Sequence, residues 1–241
     1  MGSCADLLVS VLRTAWSRCL SDGSGVGVGP AKADIPRVDV VLDDPSALTQ
    51  RVMLTTQQIT QALIEAQAGH LLMLHAGAVS HPETGASLVY VAPGGTGKTT
   101  LSRRLGPQLG YLTDETVGVT EGGAILPYAK PLSVKRSRGG RLKDEISPDR
   151  LGLLPAPAAP YVARVVLLVR DLEPGSVDIE ELSVMDALFD VVRETSSLSR
   201  LDRPLHRLVA LLDTAGPVLR VRYGEASDID GEMAELIGGL A

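Results

Sequence analysis

The chain reads as an α/β protein: a nucleotide-binding domain with a mixed β-sheet flanked by helices, preceded by a small N-terminal appendage. Three observations lead there. A glycine-rich stretch at residues 92–100, Ala-Pro-Gly-Gly-Thr-Gly-Lys-Thr-Thr, separates an apolar, β-prone run at 86–91 from a helix-prone run at 100–105. Strand, glycine loop and helix in that order are what a phosphate-binding loop needs. Apolar runs of strand length recur at 71–79, 162–169 and 218–223, and between the last two lie segments with apolar residues at helical spacing.

Residues 5–20 have a short amphipathic character, and residues 21–30 are rich in turn formers. The run at 38–42 (Val-Asp-Val-Val-Leu) predicts a strand. Thr55-Thr56-Gln57-Gln58 resembles a capping box, with Ile59, Leu63 and Ala66 following at helical spacing. These elements make residues 1–69 an α+β appendage and leave residues 70–241 as the nucleotide-binding domain. That domain opens with a buried strand at 71–79, a hairpin turn at 81–85 and the strand that feeds the glycine loop. Residues 112–119 continue the sheet, and 137–160, rich in Gly, Pro and Ala, predict irregular chain. The β-branched run at 162–169 is apolar enough for a central strand. Met185, Leu188 and Val192 predict one helix face, and Leu201, Leu205, Leu208 and Leu212 another. A strand at 218–223 and a helix at 232–237 complete the order.

The loop carries the chemistry. Gly94, Gly95, Thr96 and Gly97 let successive backbone N–H groups turn toward one anion, and the helix start through Thr100 adds its own donors and dipole. Lys98 can reach the β- and γ-phosphates of a nucleotide, and the Thr99 hydroxyl can ligate Mg²⁺. Ala92 stands where the usual pattern has its first glycine; alanine fits if φ there is negative. Asp114 and Glu115 follow Lys98 by 16 and 17 residues, after the apolar pair Tyr111-Leu112, as acids do at a strand end beside a nucleotide. One can hold Mg²⁺ and the other can take the proton of an attacking hydroxyl. Lys130, Lys135, Arg136, Arg138, Arg141 and Lys143 form the densest basic stretch, read either as a solvated loop or as a lid over phosphates or a dock for an acidic substrate.

Three segments resemble the HPr kinase/phosphorylase family, in the phosphoenolpyruvate-carboxykinase-like branch of phosphate-loop proteins. They are residues 74–79 (Leu-His-Ala-Gly-Ala-Val), the loop at 92–100, and residues 112–117 (Leu-Thr-Asp-Glu-Thr-Val). Residues 127–132 (Pro-Tyr-Ala-Lys-Pro-Leu) are similar to a stretch of shorter relatives linked to peptide natural-product clusters. The resemblance implies a serine-kinase-like transfer of the ATP γ-phosphate to a hydroxyl of a peptide, a small protein or a small molecule. It implies Asp114 as catalytic base, Glu115 as a magnesium-side partner, His75 near the phosphates, and ATP and Mg²⁺ as cofactors. Glu115 stands where the family usually has Asp, and the long C-terminal signature that supports dephosphorylation is missing.

Composition narrows the field. A net charge of −6 and a pI of about 5.3 exclude an overall basic field for nucleic acid or anionic lipid. Aromatics at 3% argue against base stacking on single strands. Cys4 and Cys19 make neither a metal spacing nor a disulfide framework, which fits a reducing cytoplasm. No apolar run has the roughly 18 residues of a membrane helix. Homo-oligomerisation stays open. A nucleotide-binding regulator with little transfer is the second reading; the absence of an Asn-Lys-x-Asp run argues against a GTPase switch. A carboxykinase-like decarboxylase fits poorly, because the chain displays no second metal site or carboxylate pocket.

Overall fold

The computed structural model describes residues 3–20, 36–137 and 140–239. The chain divides into two compact units, Met1–Gln67 with Lys130–Leu151, and Ala68–Ala129 with Gly152–Ala241. In chain order the helices are α1 (Cys4–Ala15), α2 (Leu48–Gln67), α3 (Lys98–Leu105), α4 (Val184–Arg193), α5 (Pro204–Thr214) and α6 (Asp230–Gly238). The strands are β1 (Leu72–Ser80), β2 (Ala86–Val91), β3 (Gly110–Thr113), β4 (Thr116–Val119), β5 (Ile125–Leu126), β6 (Leu132–Lys135), β7 (Lys143–Ile146), β8 (Tyr161–Arg170), β9 (Val177–Leu182), β10 (Thr195–Ser196) and β11 (Val218–Tyr223).

The first unit holds α1, α2 and the antiparallel hairpin β6–β7. Ser3 and Asp6 close a reciprocal capping box on α1. Asp44 caps a short 3₁₀ turn ahead of α2 by accepting from the Ser46 N–H at 2.9 Å. The box expected at 55–58 instead lies inside α2, because Thr55 Oγ1 donates to the Arg51 carbonyl at 2.8 Å and Thr60 Oγ1 to that of Thr56 at 3.0 Å. Hydroxyls bonded back to their own helix can be buried without breaking it. Residues 38–42 form no strand among the described residues. The turn-rich segment 21–30 lies outside them. Residues 137–160 are not wholly irregular, since β7 falls among them. Segment 130–151 groups with the N-terminal residues, whereas the sequence assigned it to the nucleotide-binding domain.

The second unit is a mixed α/β structure built on a sheet of order β5-β4-β1-β2-β8-β11-β9, with β3 and β10 also paired to β1. β2, β8 and β11 run parallel, and β1 and β9 flank them antiparallel. The central strands are apolar at consecutive positions because both faces are covered. Val89 and Val91 of β2 join a core with Val165, Val191, Leu208 and Leu212, on the side of α4 and α5. Leu88 and Tyr90 join the opposite core with Leu101, Val166, Met233 and Ile237, on the side of α3 and α6. Each such buried side chain contributes on the order of 1.5–3 kcal/mol. The helix faces differ in detail from the expected ones. Ala187 and Val191 are the buried residues of α4 while Met185 is exposed, and α5 buries Leu208, Leu211 and Leu212 while Leu205 is exposed.

Candidate functional site

Register brings the site together. β1 is antiparallel to β2 with Ala76 opposite Val91, so His75 lies beside the point where β2 runs into the glycine loop. β4 pairs Thr116 with His75, and the Ala76 N–H donates to the Glu115 carbonyl at 3.1 Å. β10 pairs Thr195 with Leu74, and the His75 N–H donates to the Glu194 carbonyl at 2.6 Å. One strand thus collects His75, Glu115 and Glu194 at the mouth of the loop.

The loop turns at Gly95 (φ 88°) and Gly97 (φ 126°), conformations that side chains rarely adopt. Gly97 precedes α3 and offers no side-chain cap, so the first N–H groups of that helix are open to an anion. A Cβ on Gly97 would also come within 3.1 Å of the Tyr223 hydroxyl. That hydroxyl, at the end of β11, donates to the Thr96 carbonyl at 2.7 Å and ties the loop to the parallel strands. Burial pushes the Tyr223 phenol up to about 12, so it stays a neutral donor. Gly94, Gly95 and Thr100 are exposed, and Thr96 is half-buried.

Lys98 is only 6% exposed and folds back on its own loop. Its Nζ donates to the carbonyls of Ala92 and, at 3.2 Å, Pro93, and lies 3.2 Å from His75 Nε2. Burial lowers its pKa to about 8, against the opposing charges of Glu194, Asp114 and Glu115. An ammonium can only donate, so His75 Nε2 accepts; the ring proton then sits on Nδ1 and donates to Glu194 Oε2 at 2.8 Å.

Asp114 is buried at the turn between β3 and β4. Thr99 Oγ1 donates to its Oδ2 at 2.7 Å, and the Tyr111 hydroxyl to its Oδ1 at 3.2 Å. Glu115 is half-buried, with its N–H on Thr113 Oγ1 at 3.3 Å. Below the loop the hydroxyls of Tyr90 and Ser102 share a hydrogen bond.

Of the residues expected from sequence, the structure brings together Lys98, Thr99, Asp114 and His75, with Glu115 acting on Lys98 through its charge. Lys130 belongs to the first unit, where it is fully buried and its Nζ donates to the Pro131 carbonyl at 2.9 Å. An exposed cation at that position, as a lid would need, is not found. Glu194 and Tyr223 escaped the sequence reading: their partners lie 119 and 127 residues away, and neither stands in a recognisable motif. Among the described residues there is no His, Cys, Asp and Glu cluster that would hold a metal by itself, and no helix long and apolar enough to cross a membrane.

No family model matches the chain, and no curated protein does. Among solved structures it is similar to the Hpr(Ser) kinase/phosphatase from Coxiella burnetii, with a TM-score of 0.35 and 10% identity over 68% of this chain and 97% of that one. A likeness of that size bears neither on activity nor on site residues.

Proposed function

We propose that this chain is an ATP-dependent phosphotransferase that moves the γ-phosphoryl group to the hydroxyl of a peptide, small protein or small molecule. The observation that carries the proposal is the buried carboxylate of Asp114 set 2.7 Å from the hydroxyl of Thr99, directly after the loop lysine. A chance Gly-Lys-Thr turn has no reason to aim a buried acid at its threonine. A hydroxyl and a carboxylate side by side fit Mg²⁺, a hard ion held by few protein oxygens together with nucleotide phosphates. Thr99 and Asp114 would hold it, and its charge would offset that developing on the phosphates. Glu115 supplies further negative charge on the same side.

The loop residues Gly94, Gly95, Thr96 and Gly97 and the first turn of α3 would hold the phosphates through backbone N–H groups. Lys98 would exchange its contacts with Ala92, Pro93 and His75 for phosphate oxygens. Asp114 was expected to be the proton acceptor. One of its oxygens accepts from Thr99, the hydroxyl that would share the Mg²⁺, and this adjacency supports the metal-side role.

Calorimetry with Mg-ATP tests the proposal. Wild type should bind, and Lys98→Ala should lose transition-state stabilisation of roughly 2–4 kcal/mol in any transfer assay, the scale of a preorganised charged donor. No heat of binding at millimolar Mg-ATP, with a folded protein by circular dichroism, would sink the assignment. Binding without transfer to any of a panel of hydroxyl acceptors would favour a nucleotide-sensing role instead.

A further inference from the structure

We propose that His75, held by Glu194, is the catalytic base of this site, and that Glu194 is its positioning residue. The inference rests on the phosphotransferase reading above and adds the proton acceptor to it.

A base needs an available lone pair, access to the acceptor, and a partner that stabilises the charge it acquires. Asp114 is the more secluded group, 4% exposed and accepting from Thr99 on one oxygen and from Tyr111 on the other. His75 has the access and the partner, and its Nε2 lone pair becomes available once Lys98 leaves it. Its side chain is 36% exposed, its Nε2 faces the Lys98 ammonium, and its Nδ1 is on a carboxylate. The backbone reinforces the pair, since the His75 N–H also donates to the Glu194 carbonyl. The charged groups around the ring are Lys98 from α3 and Glu194 at the end of α4, with Asp114 and Glu115 acting on Lys98 from the β3–β4 turn.

In the free protein Lys98 occupies the Nε2 lone pair. When Lys98 turns to the nucleotide, that lone pair is released beside the γ-phosphate. The acceptor hydroxyl then gives its proton to Nε2 as its oxygen bonds to the γ-phosphorus. The bond from that phosphorus to the β–γ bridging oxygen breaks, and its electron pair leaves with ADP. The imidazolium keeps its Nδ1 proton, hydrogen-bonded to Glu194, whose carboxylate faces the new charge and stabilises it. The Nε2 proton afterwards passes to solvent. Lys98 therefore protects the base until a phosphate competes for it.

The test combines ¹⁵N spectra of histidine-labelled protein with phosphate release from Mg-ATP, water serving as acceptor. Of the four histidines, the one lost in His75→Gln should show a protonated Nδ1 and an unprotonated Nε2. Adding Mg²⁺ with a non-hydrolysable ATP analogue should shift Nε2 and leave Nδ1 protonated. Glu194→Ala should mix the two tautomers, and Glu194→Gln, which can still accept from Nδ1, should restore the single one. Phosphate release should fall roughly 100-fold in His75→Gln and roughly 10-fold or more in Glu194→Ala, chiefly in kcat, with Mg-ATP affinity within about threefold of wild type and the acidic limb of the pH profile displaced. A protonated Nε2 in the free protein, release within about threefold of wild type in His75→Gln, or no release by a wild type that binds Mg-ATP would each overturn the proposal. A wild type that binds no nucleotide would remove the phosphotransferase reading and the base role with it, while the Glu194–His75 pair would still be judged by the spectra.

Discussion

Lys98 shows how the site holds a charge that the fold alone would reject. Its ammonium is buried on backbone carbonyls and an imidazole, and burial depresses its pKa from 10.5 to about 8. The sign of the consequence follows from linkage. Between about pH 8 and pH 10.5 the unfolded chain binds a proton at this position and the folded chain does not, so stability rises with pH across that window. Below it the folded chain carries the whole net penalty of holding the amine charged rather than neutral, of the order of 3 kcal/mol. Lys98→Met should therefore be more stable than wild type at pH 7, with the advantage gone near pH 11. Urea unfolding of both proteins at the two pH values measures this, and an advantage that is absent or unchanged with pH would contradict it. Function keeping a costly residue is the usual reason for a site that lowers stability.

At the scale of elements, β1 does most to assemble the site, and its geometry depends on Gly77. Tyr90 lies across that glycine so closely that a Cβ there would fall 2.1 Å from Tyr90 Cε2, and both residues are buried. Gly77→Ala should destabilise by at least 1–3 kcal/mol, the usual cost of overpacking. Removing the ring with Tyr90→Leu should recover part of that loss in the double variant, a coupling that chemical denaturation of the four proteins would detect. Additive effects would mean that the ring does not meet the new methyl group. The same element scale explains what could be read from sequence. β1, β2, β8 and β11 were legible because burial makes them apolar, and the glycine loop because its chemistry is local. β9 was not. Its Val-Asp-Ile-Glu-Glu-Leu sequence lies at the sheet edge, where Arg220 pairs with Glu180 and Arg222 with Asp178, so its acids mask the strand pattern. The site was half legible for a related reason. Lys98, Thr99 and Asp114 lie within one strand–loop–helix–strand unit, whereas Glu194 reaches His75 only through the two-residue strand β10.

For the whole molecule, the connectivity of the first unit is the feature that sequence reading missed. Helical and turn signals suggested a continuous appendage ending near residue 69, but the chain returns to that unit at residues 130–151. The return is anchored by β7 beside α2, by Ser17 Oγ on Ser147 Oγ at 3.0 Å, and by Arg18 Nε on Asp149 Oδ1 at 2.7 Å. A surface ion pair of this kind contributes little alone, so the segment depends on packing against the N-terminal helices. A fragment beginning at residue 68 would keep the sheet of the second unit and leave the return segment without those partners. Local stability follows local contacts, so proteases should cut this fragment within 130–151 much faster than they cut the full chain. The two resulting pieces should stay associated, because β2 from one pairs with β8 from the other over six residue pairs. Limited proteolysis followed by size-exclusion chromatography and mass spectrometry reads both outcomes. Equal cleavage rates in fragment and full chain would show that residues 130–151 hold their structure without the N-terminal helices, and separation of the pieces would show that the central sheet does not carry the second unit alone.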